Sequence, residues 1–556
     1  MKSNRCAFLI TLLSSCLVGP MTAIAQDSKA PNDSPQSTQW IQKWIDANLP
    51  SAVEDYWWLH EHPELSYQEE ETAKYMASAW KSAGFDVTTG VGGHGVVALL
   101  KNGAGPNLML RTDLDALPVS EATGLPRAST KKTTLPSGAT AGIMHACGHD
   151  VHMTNLIAIG RLMAGNKDRW RGTLMLIGQP AEERGGGAQK MIDDGLFTKF
   201  PKPDFALALH CESTKATTVS LREGYMMANV DSVDIVVKGR GGHGAAPNTT
   251  IDPIVQAAEL VMSLQTIVSR EVKPTEPAVI TVGAIHGGTK HNIIGDRCDL
   301  QLTVRSYTPE VRKLLIDSIH RKAIAIAAAY GADEPTITLS DGTPALFNNV
   351  ALTKRLRKTL LSVFGPERVG EADQVMGGED FSQFGIAGVP SVMYRVGTIE
   401  AGRYDAMQRR GQILSLHAPD YYPDIDKTLP TAILSMATGA VELLAELKHT
   451  EDSLKLVQER VAEKKAVLVD VRDLVEWNAG HVEGAIHLPF RDLQEKFDEK
   501  SMREILPKDT ILYTHCAVGF RSLKAGKLLE KYGYDIRPLK PGFKELVEAG
   551  FKSETK

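Results

Sequence analysis

Short apolar runs bounded by glycine and proline constrain this chain most. Val96-Val97-Ala98-Leu99-Leu100 and Leu108-Met109-Leu110 are two of them; Thr173-Leu174-Met175-Leu176-Ile177 and Phe205-Ala206-Leu207-Ala208-Leu209 are two more. Each has strand length, and helical stretches separate several of them. That alternation predicts an α/β sheet with helices on its faces, beginning near residue 40 and running to 224. The pattern changes near Tyr225. Asp231-Ser232-Val233-Asp234-Ile235-Val236-Val237 alternates like a half-exposed strand, and a helical pattern follows over 253–270. Strand-like stretches at 278–285 and 298–304 precede a second helical pattern at 309–330. Two helices on one face of a small, largely antiparallel sheet predict an α+β domain, 225–340, inserted into the first. Residues 341–447 return to the first domain, 448–460 form a charged linker, and 461–556 form a further compact α/β unit. The 556 residues are too many for one core, in keeping with about three domains.

Lys2 and Arg5 precede an apolar run over 7–18, and Ala23-Ile24-Ala25 then supplies a small-x-small site. This is the layout of a cleaved export signal, 1–25, and predicts a periplasmic or secreted protein. An uncleaved anchor would need a longer run. A lipoprotein site at Cys16 is disfavoured because apolar sequence continues to Ala25. Residues 26–39 are polar and read as a disordered leader. The net charge of -5 gives no basic footprint, which excludes nucleic acid as a partner. No later segment is apolar for long enough to span a bilayer; 431–447, interrupted by Glu442 and Glu446, reads as an amphipathic helix. Beyond the signal, Cys147, Cys211, Cys298 and Cys516 are too irregularly spaced for a disulfide framework. Such cysteines mark metal ligands, reactive thiols or buried apolar positions.

Five features near strand ends carry metal chemistry. Asp113-Leu114-Asp115 follows Leu108-Met109-Leu110, and His145-Ala146-Cys147-Gly148-His149-Asp150 opens a helical stretch. Glu182-Glu183 follows the strand ending at Ile177. His210 is read as ending the strand 205–209, and His417 lies in Leu416-His417-Ala418-Pro419-Asp420. Open α/β sheets place sites at strand carboxyl ends, so these groups can converge. A hydrolytic metal site needs deprotonated N, S or O ligands with room for water, and a carboxylate to carry the proton. Adjacent Glu182 and Glu183 point in different directions on an extended chain, so one can bind metal and the other serve as base.

Arg111-Thr112-Asp113-Leu114-Asp115-Ala116-Leu117-Pro118, Met144-His145-Ala146-Cys147-Gly148-His149-Asp150 and Gln179-Pro180-Ala181-Glu182-Glu183 closely resemble the aminoacylase and hippurate-hydrolase branch of the dinuclear zinc-peptidase family, which includes plant auxin-conjugate hydrolases. The resemblance continues through Gly239-Arg240-Gly241-Gly242-His243, the segment 285–292 and Gly377-Gly378-Glu379-Asp380-Phe381, and covers about 40–447. It implies a zinc-peptidase-like mixed sheet with helices on both faces, and hydrolysis of the amide bond of N-acyl-amino acids or small peptides. It implies that Cys147 bridges two divalent metal ions, zinc or manganese, about 3.5–4 Å apart. Glu183 and His417 would lie on one side, His149 and His210 on the other. Glu182 would be general base and acid, and Asp115 would orient a ligand. The inserted domain would be a lid and homodimerisation unit. Its His243 would reach the substrate carbonyl, often from the partner subunit, while Asn292 and Arg305 would bind the substrate carboxylate. Cys211-Glu212 and Glu223-Gly224-Tyr225-Met226-Met227 depart from the family pattern near the pocket and hinge, which bears on substrate preference.

In the last unit, Val467-Leu468-Val469-Asp470-Val471-Arg472 reads as a buried strand. Ile511-Leu512-Tyr513-Thr514-His515 runs into Cys516-Ala517-Val518-Gly519-Phe520-Arg521-Ser522 and a helix. A cysteine between strand and helix is surrounded by N–H donors; these and Arg521 would cradle an anion. The pattern resembles a rhodanese domain. That implies a sulfurtransferase in which Cys516 carries a persulfide, with Asp470 and Arg472 fixing the fold. An inactive docking or redox-sensing module is the alternative. For the whole chain, the alternatives are a binding protein that kept the pocket, and an enzyme that couples conjugate hydrolysis to persulfide formation on Cys516.

Overall fold

The computed structural model describes residues 35–555 apart from 413, 446, 447, 498 and 531. The expected export signal and the leader up to residue 34 lie outside the described residues. The first helix, Pro35–Glu61, begins inside the stretch 26–39 that the sequence assigns to the leader. Proline is favoured in a first helical turn, and Ile41 and Ile45 draw the helix onto the core, where each is 1% exposed.

An eight-stranded mixed sheet forms the centre of the first domain, as the alternation predicts. Across the sheet its strands are Asp86–Val91, Gly95–Asn102, Gly172–Gln179, Asn107–Asp113, Phe205–Lys215, Ser391–Ile399, Val219–Leu221 and Val369–Glu371. Gly172–Gln179, Asn107–Asp113, Phe205–Lys215 and Ser391–Ile399 run parallel to one another, so their carboxyl ends open at one edge. Strand alternation divides the core into two layers. Leu108 and Leu110 pack with Trp80, Leu156 and Ile433 on one face, and Met109 packs with Met175, Phe381 and Phe384 on the other. Each such buried leucine contributes about 1.5–3 kcal/mol by leaving water.

Two further elements differ from the sequence reading. Phe205–Lys215 continues well past Leu209, so His210 lies within the strand. Its continuation is held by parallel pairing of His210 with Arg395 and Cys211 with Val396. The helix read as amphipathic over 431–447 is Ile425–Leu443, and it is buried on most sides, including Thr428, Thr431, Ser435 and Thr438. Its small residues let it pack between the helices Pro35–Glu61, His149–Gly165 and Val350–Phe364.

The inserted region is a four-stranded antiparallel sheet in the order Ala278–Gly287, Arg297–Ser306, Asn229–Lys238, Thr336–Thr343. Helices Pro253–Arg270 and Pro309–Ala329 cover one face, around Val233, Leu260, Leu264, Leu300, Leu302 and Leu315. Asp252 and Thr308 cap these helices, each followed by a first-turn proline. The strand pair Gly224–Met227 and Leu346–Asn348 closes the two crossings between insert and first domain.

The C-terminal unit is a parallel sheet in the order Ile486–His487, Ala466–Asp470, Ile511–His515, Asp535–Ile536. The buried Asp470–Arg472 pair closes at 2.6 Å, and Arg472 also donates to the Gly480 carbonyl. This unit docks on the helix Val350–Phe364, where Arg355 meets Glu442 of the first domain and Glu530 of the last. No described helix is long and apolar enough to cross a membrane.

Candidate active site

The metal-type residues enter from five separate elements. Gly148, at φ 81°, turns the chain into the helix His149–Gly165. A Cβ there would lie 2.9 Å from the Cys211 side chain, so close packing as well as conformation favours glycine. Cys147 precedes the turn and His149 opens the helix. Glu182 and Glu183 sit in a single turn, Glu182–Arg184, entered through Ala181 at φ 51°. Left-handed conformation strains a non-glycine residue, and the Ala181 amide is held there by donating to Glu69 Oε1 at 2.7 Å. His417, at φ 69°, is similarly strained; its amide donates to the Ala146 carbonyl at 2.8 Å, which pins it beside Cys147.

These elements bring the five sequence-predicted ligands together. His417 Nε2 lies 3.2 Å from Cys147 Sγ and 3.4 Å from Glu183 Oε1. On the other side, His210 Nε2 lies 3.6 Å from the same sulfur, and ligand atoms of Cys147, His149 and His210 all fall within 4.8 Å of one another. The ring tautomers suit coordination. His149 Nδ1–H donates to the Asp115 carbonyl at 2.7 Å and His210 Nδ1–H to the Cys211 carbonyl at 2.7 Å. Each Nε2 lone pair is thereby turned toward the cluster. His149 Nε2 and Glu183 Oε1 are buried without a hydrogen-bond partner. Two dications would satisfy both, so the donor set fits the group that the resemblance implies.

Electrostatics support the same fit. Burial, then the neighbouring Glu183, Glu182 and Asp113 carboxylates, push the Cys147 thiol well above its ordinary range. Burial, then Glu379, Glu183 and Asp380, push Glu182 far up as well, against the pull of Arg111. Burial disfavours a charged His149, but Asp113, Asp115 and Glu183 raise it to about 10. A pocket this rich in anionic groups calls for cations.

Asp115 does more than the sequence suggests. Its backbone carbonyl accepts the hydrogen bond from His149 Nδ1, while its carboxylate lies 3.7 Å from the same nitrogen. The two carboxylate oxygens accept from the Glu182 amide at 3.1 Å and the Glu183 amide at 3.0 Å, with Ser66 Oγ at 2.6 Å. Asp115 therefore aims the glutamate pair, because among the described residues these amides have no other acceptor.

Sequence reasoning assigned no role to the layer beneath. Arg111 is fully buried and donates to Asp113, Gln179, Glu379 and Asp380 at 2.9, 2.9, 2.9 and 3.2 Å. His152 has both nitrogens engaged, one with Asp113 at 2.7 Å and one with the Cys211 amide at 2.8 Å, so it supports the site without offering a ligand atom. Arg111 and Asp113 lie two apart on one strand face, and His152 one turn beyond His149; those spacings were the available signals. Cys211 packs under Gly148, and Glu212 pairs with Arg395 at 2.6 Å, which accounts for the departure at these two positions.

The insert's residues stand apart from this cluster. His243 and Asn292 are exposed neighbours on a two-stranded ladder, Gly242–His243 with Ile293–Ile294. Among the described residues no hydrogen bond or ion pair joins either to the metal-type ligands. His243 Nδ1 accepts from the Ala245 amide at 3.0 Å, which puts the ring proton on Nε2. Arg305 is half-buried, donating to the Met376 carbonyl at 2.8 Å, just before Gly377-Gly378-Glu379.

In the C-terminal unit, Cys516 lies between the strand Ile511–His515 and the helix Phe520–Glu530 and is 1% exposed. Its carbonyl accepts from the Phe543 amide, and the Gly519 carbonyl accepts from His449 Nε2 at 2.9 Å. Arg521 is committed to Glu476 through both terminal nitrogens, at 2.5 and 2.7 Å.

Comparison with known proteins matches these two regions to two families. The model for peptidase family M20/M25/M40 matches residues 109–408, and that for a rhodanese-like domain matches 453–549. The hippurate hydrolase of Campylobacter jejuni is 38% identical over 59% of this chain and 82% of its own length. The N-acetyl-L-cysteine deacetylase of Bacillus subtilis is 37% identical over 59% of this chain and 75% of its own. The solved YXEP protein of Bacillus subtilis, described as a dinuclear metal binding peptidase, is 28% identical with a TM-score of 0.60, covering 72% of this chain and all of that one.

Proposed function

The chain belongs to peptidase family M20/M25/M40 and is a metal-dependent amidohydrolase or peptidase with a C-terminal rhodanese-like domain, and from that premise we propose that it hydrolyses N-acyl-amino acids or small peptides with Glu182 as the proton carrier. The convergence of Cys147, His149, Glu183, His210 and His417 around one sulfur carries this reading. These five would hold two divalent ions, zinc or manganese. When bound, such ions polarise the scissile carbonyl and make water acidic near neutral pH. Glu182 takes the water's proton and returns it to the leaving nitrogen. Burial and its acidic neighbours raise its proton affinity, which suits a group that must both accept and donate. Asp115 keeps Glu182 and Glu183 aimed apart.

The rest of the substrate is assigned to the insert. Nε2–H of His243, without a partner among the described residues, would donate to a developing oxyanion, and the Arg305 fork with Asn292 would receive the substrate carboxylate. The exposed apolar side chains Val255, Met262 and Ile285, with the open edge strand Ala278–Gly287, support a homodimer through the insert, which would bring His243 to the partner's site. The N-terminal charge and small-x-small pattern support export to the periplasm or beyond. We read the C-terminal domain as a sulfurtransferase carrying persulfide on Cys516 and positioned by the Arg521 loop.

The test is a hydrolysis screen of purified protein against N-acyl-amino acids and dipeptides. Chelation should abolish turnover, and zinc or manganese should restore it. Failure to hydrolyse any of them after metal is restored would favour a binding protein that kept the pocket.

A further inference from the structure

The loop around Cys516 holds a guanidinium that the hydrolase chemistry does not use, and its surroundings select a sulfur donor. Arg521 is the group in the loop shaped to grip an oxyanion bidentately. It is already gripped: Glu476 takes both terminal nitrogens, and Asp473 Oδ2 lies 3.9 Å from Nη1. Glu476 is itself fixed, because it also accepts from the Asp473 amide in a capping box on the helix Leu474–Asn478. The pair is about two-thirds buried, with side-chain exposures of 31% and 29%, so it is screened less than a surface bridge.

The two segments that this pair joins carry large apolar side chains in water. Val518 and Phe520 in the loop are 78% and 63% exposed; Leu474 and Val475 on the facing segment are 59% and 80% exposed. Lysine is near, with Lys524 Nζ 4.4 Å from the Phe520 ring centroid, but it is an exposed charge lying over an aromatic face. A compact dianion such as thiosulfate would meet a neutralised guanidinium, two carboxylates and an apolar rim. A donor with an apolar organic group and a terminal sulfur would meet a surface it can dehydrate, and the slim sulfur could reach a cysteine that is 1% exposed.

We propose that Glu476 and the apolar rim of Leu474, Val475, Val518 and Phe520 make the Cys516 loop selective for organic persulfides over thiosulfate. This rests on the sulfurtransferase reading of the domain and names its substrate class. The transfer needs no external oxidant. The Cys516 thiolate attacks the terminal sulfur of R–S–SH; the R–S to S bond breaks, the Cys516 S–S bond forms, and R–S⁻ departs while the proton stays on the new persulfide. A second thiolate can then take the outer sulfur by the same exchange.

The full chain is loaded with benzyl hydropersulfide or with sodium thiosulfate, and the gain of one sulfur atom on Cys516 is followed by mass spectrometry, with Cys516→Ala as blank. The organic donor should load at least about tenfold faster per unit concentration, a difference of about 1.4 kcal/mol in barrier. Glu476→Gln keeps the capping geometry but frees the guanidinium, so it should raise the thiosulfate rate about tenfold. The paired change Val518→Ser and Phe520→Ser, at exposed positions, should raise KM for the organic donor and narrow the ratio between the two donors; an unchanged ratio overturns the rim's part in the selectivity. Equal loading by both donors in the native chain, or a preference for thiosulfate, overturns the selectivity while leaving sulfur transfer standing. Loading by neither donor overturns both.

Discussion

Glu182→Gln isolates proton transfer from everything else the site does. Glutamine keeps the volume of a side chain that is 9% exposed, and the two bonds from Asp115 go to the backbone amides of residues 182 and 183, which the change leaves in place. Glu183 and the other ligand atoms are untouched. The expected loss is therefore that of a general base alone, about 10²–10⁴ in kcat, or roughly 2.7–5.5 kcal/mol of barrier. Metal content per chain should be unchanged by elemental analysis. Stability supplies a second readout with the opposite sign. Burial and the nearby Glu379, Glu183 and Asp380 raise the proton affinity of Glu182 in the folded chain. A carboxyl raised on folding contributes stability that is full below its unfolded range and is lost as pH rises through its folded value. In chelated protein the glutamine variant should therefore be at least as stable as the parent, by urea titration, with its advantage growing as pH rises. Near-normal turnover would refute the base assignment. Loss of metal together with turnover would show Glu182 to be a ligand instead.

His243→Ala should lower kcat about 10²–10³-fold with metal retained, and mixing it with Glu182→Gln chains should recover activity if His243 serves the partner's site; equal inactivity of the mixture would refute that supply across subunits. Asp115→Ala should weaken metal retention about 10–100-fold on dialysis against graded chelator, because the glutamate turn loses the carboxylate that holds its two amides while the backbone bond to His149 stays. Burial raises Glu69 to about 7, so its contribution to stability is full below its unfolded value of 4.5 and is lost as pH rises through 7. Relative to Glu69→Gln, the parent should lose roughly 3 kcal/mol over that window by urea titration; parallel pH profiles would refute the effect.

The convergence of Cys147, His149, Glu183, His210 and His417 was legible because they fall in a few short segments, and a parallel sheet brings such segments to one edge. What the motifs could not show is what lies beneath them. Arg111 follows an apolar run in its strand, and its partners Glu379 and Asp380 are 268 and 269 positions away. The local spacing of Arg111 and Asp113 pairs two charges on one strand face, but the partners that bury the network come from far along the chain. The same limit explains His210 and the helix Ile425–Leu443. The strand runs on past Leu209 because Ser391–Ile399, contributed after the insert, pairs with it, and the helix is buried because three helices distant in sequence enclose it. Periodicity reports one face of an element and is silent on neighbours contributed by distant parts of the chain.

The Cys516 loop shows the same limit acting on chemistry. A cysteine before a helix with an arginine five positions on reads as an anion cradle, and that reading treats the guanidinium as free. Glu476, 45 positions upstream, takes that guanidinium, and it is held in place by a capping box that the local sequence Asp473-Leu474-Val475-Glu476 does encode. The capping motif and the reactive loop are each visible alone. Their meeting pairs the guanidinium with a carboxylate beside exposed apolar side chains, and that pairing is the ground for the proposed preference for an organic sulfur donor.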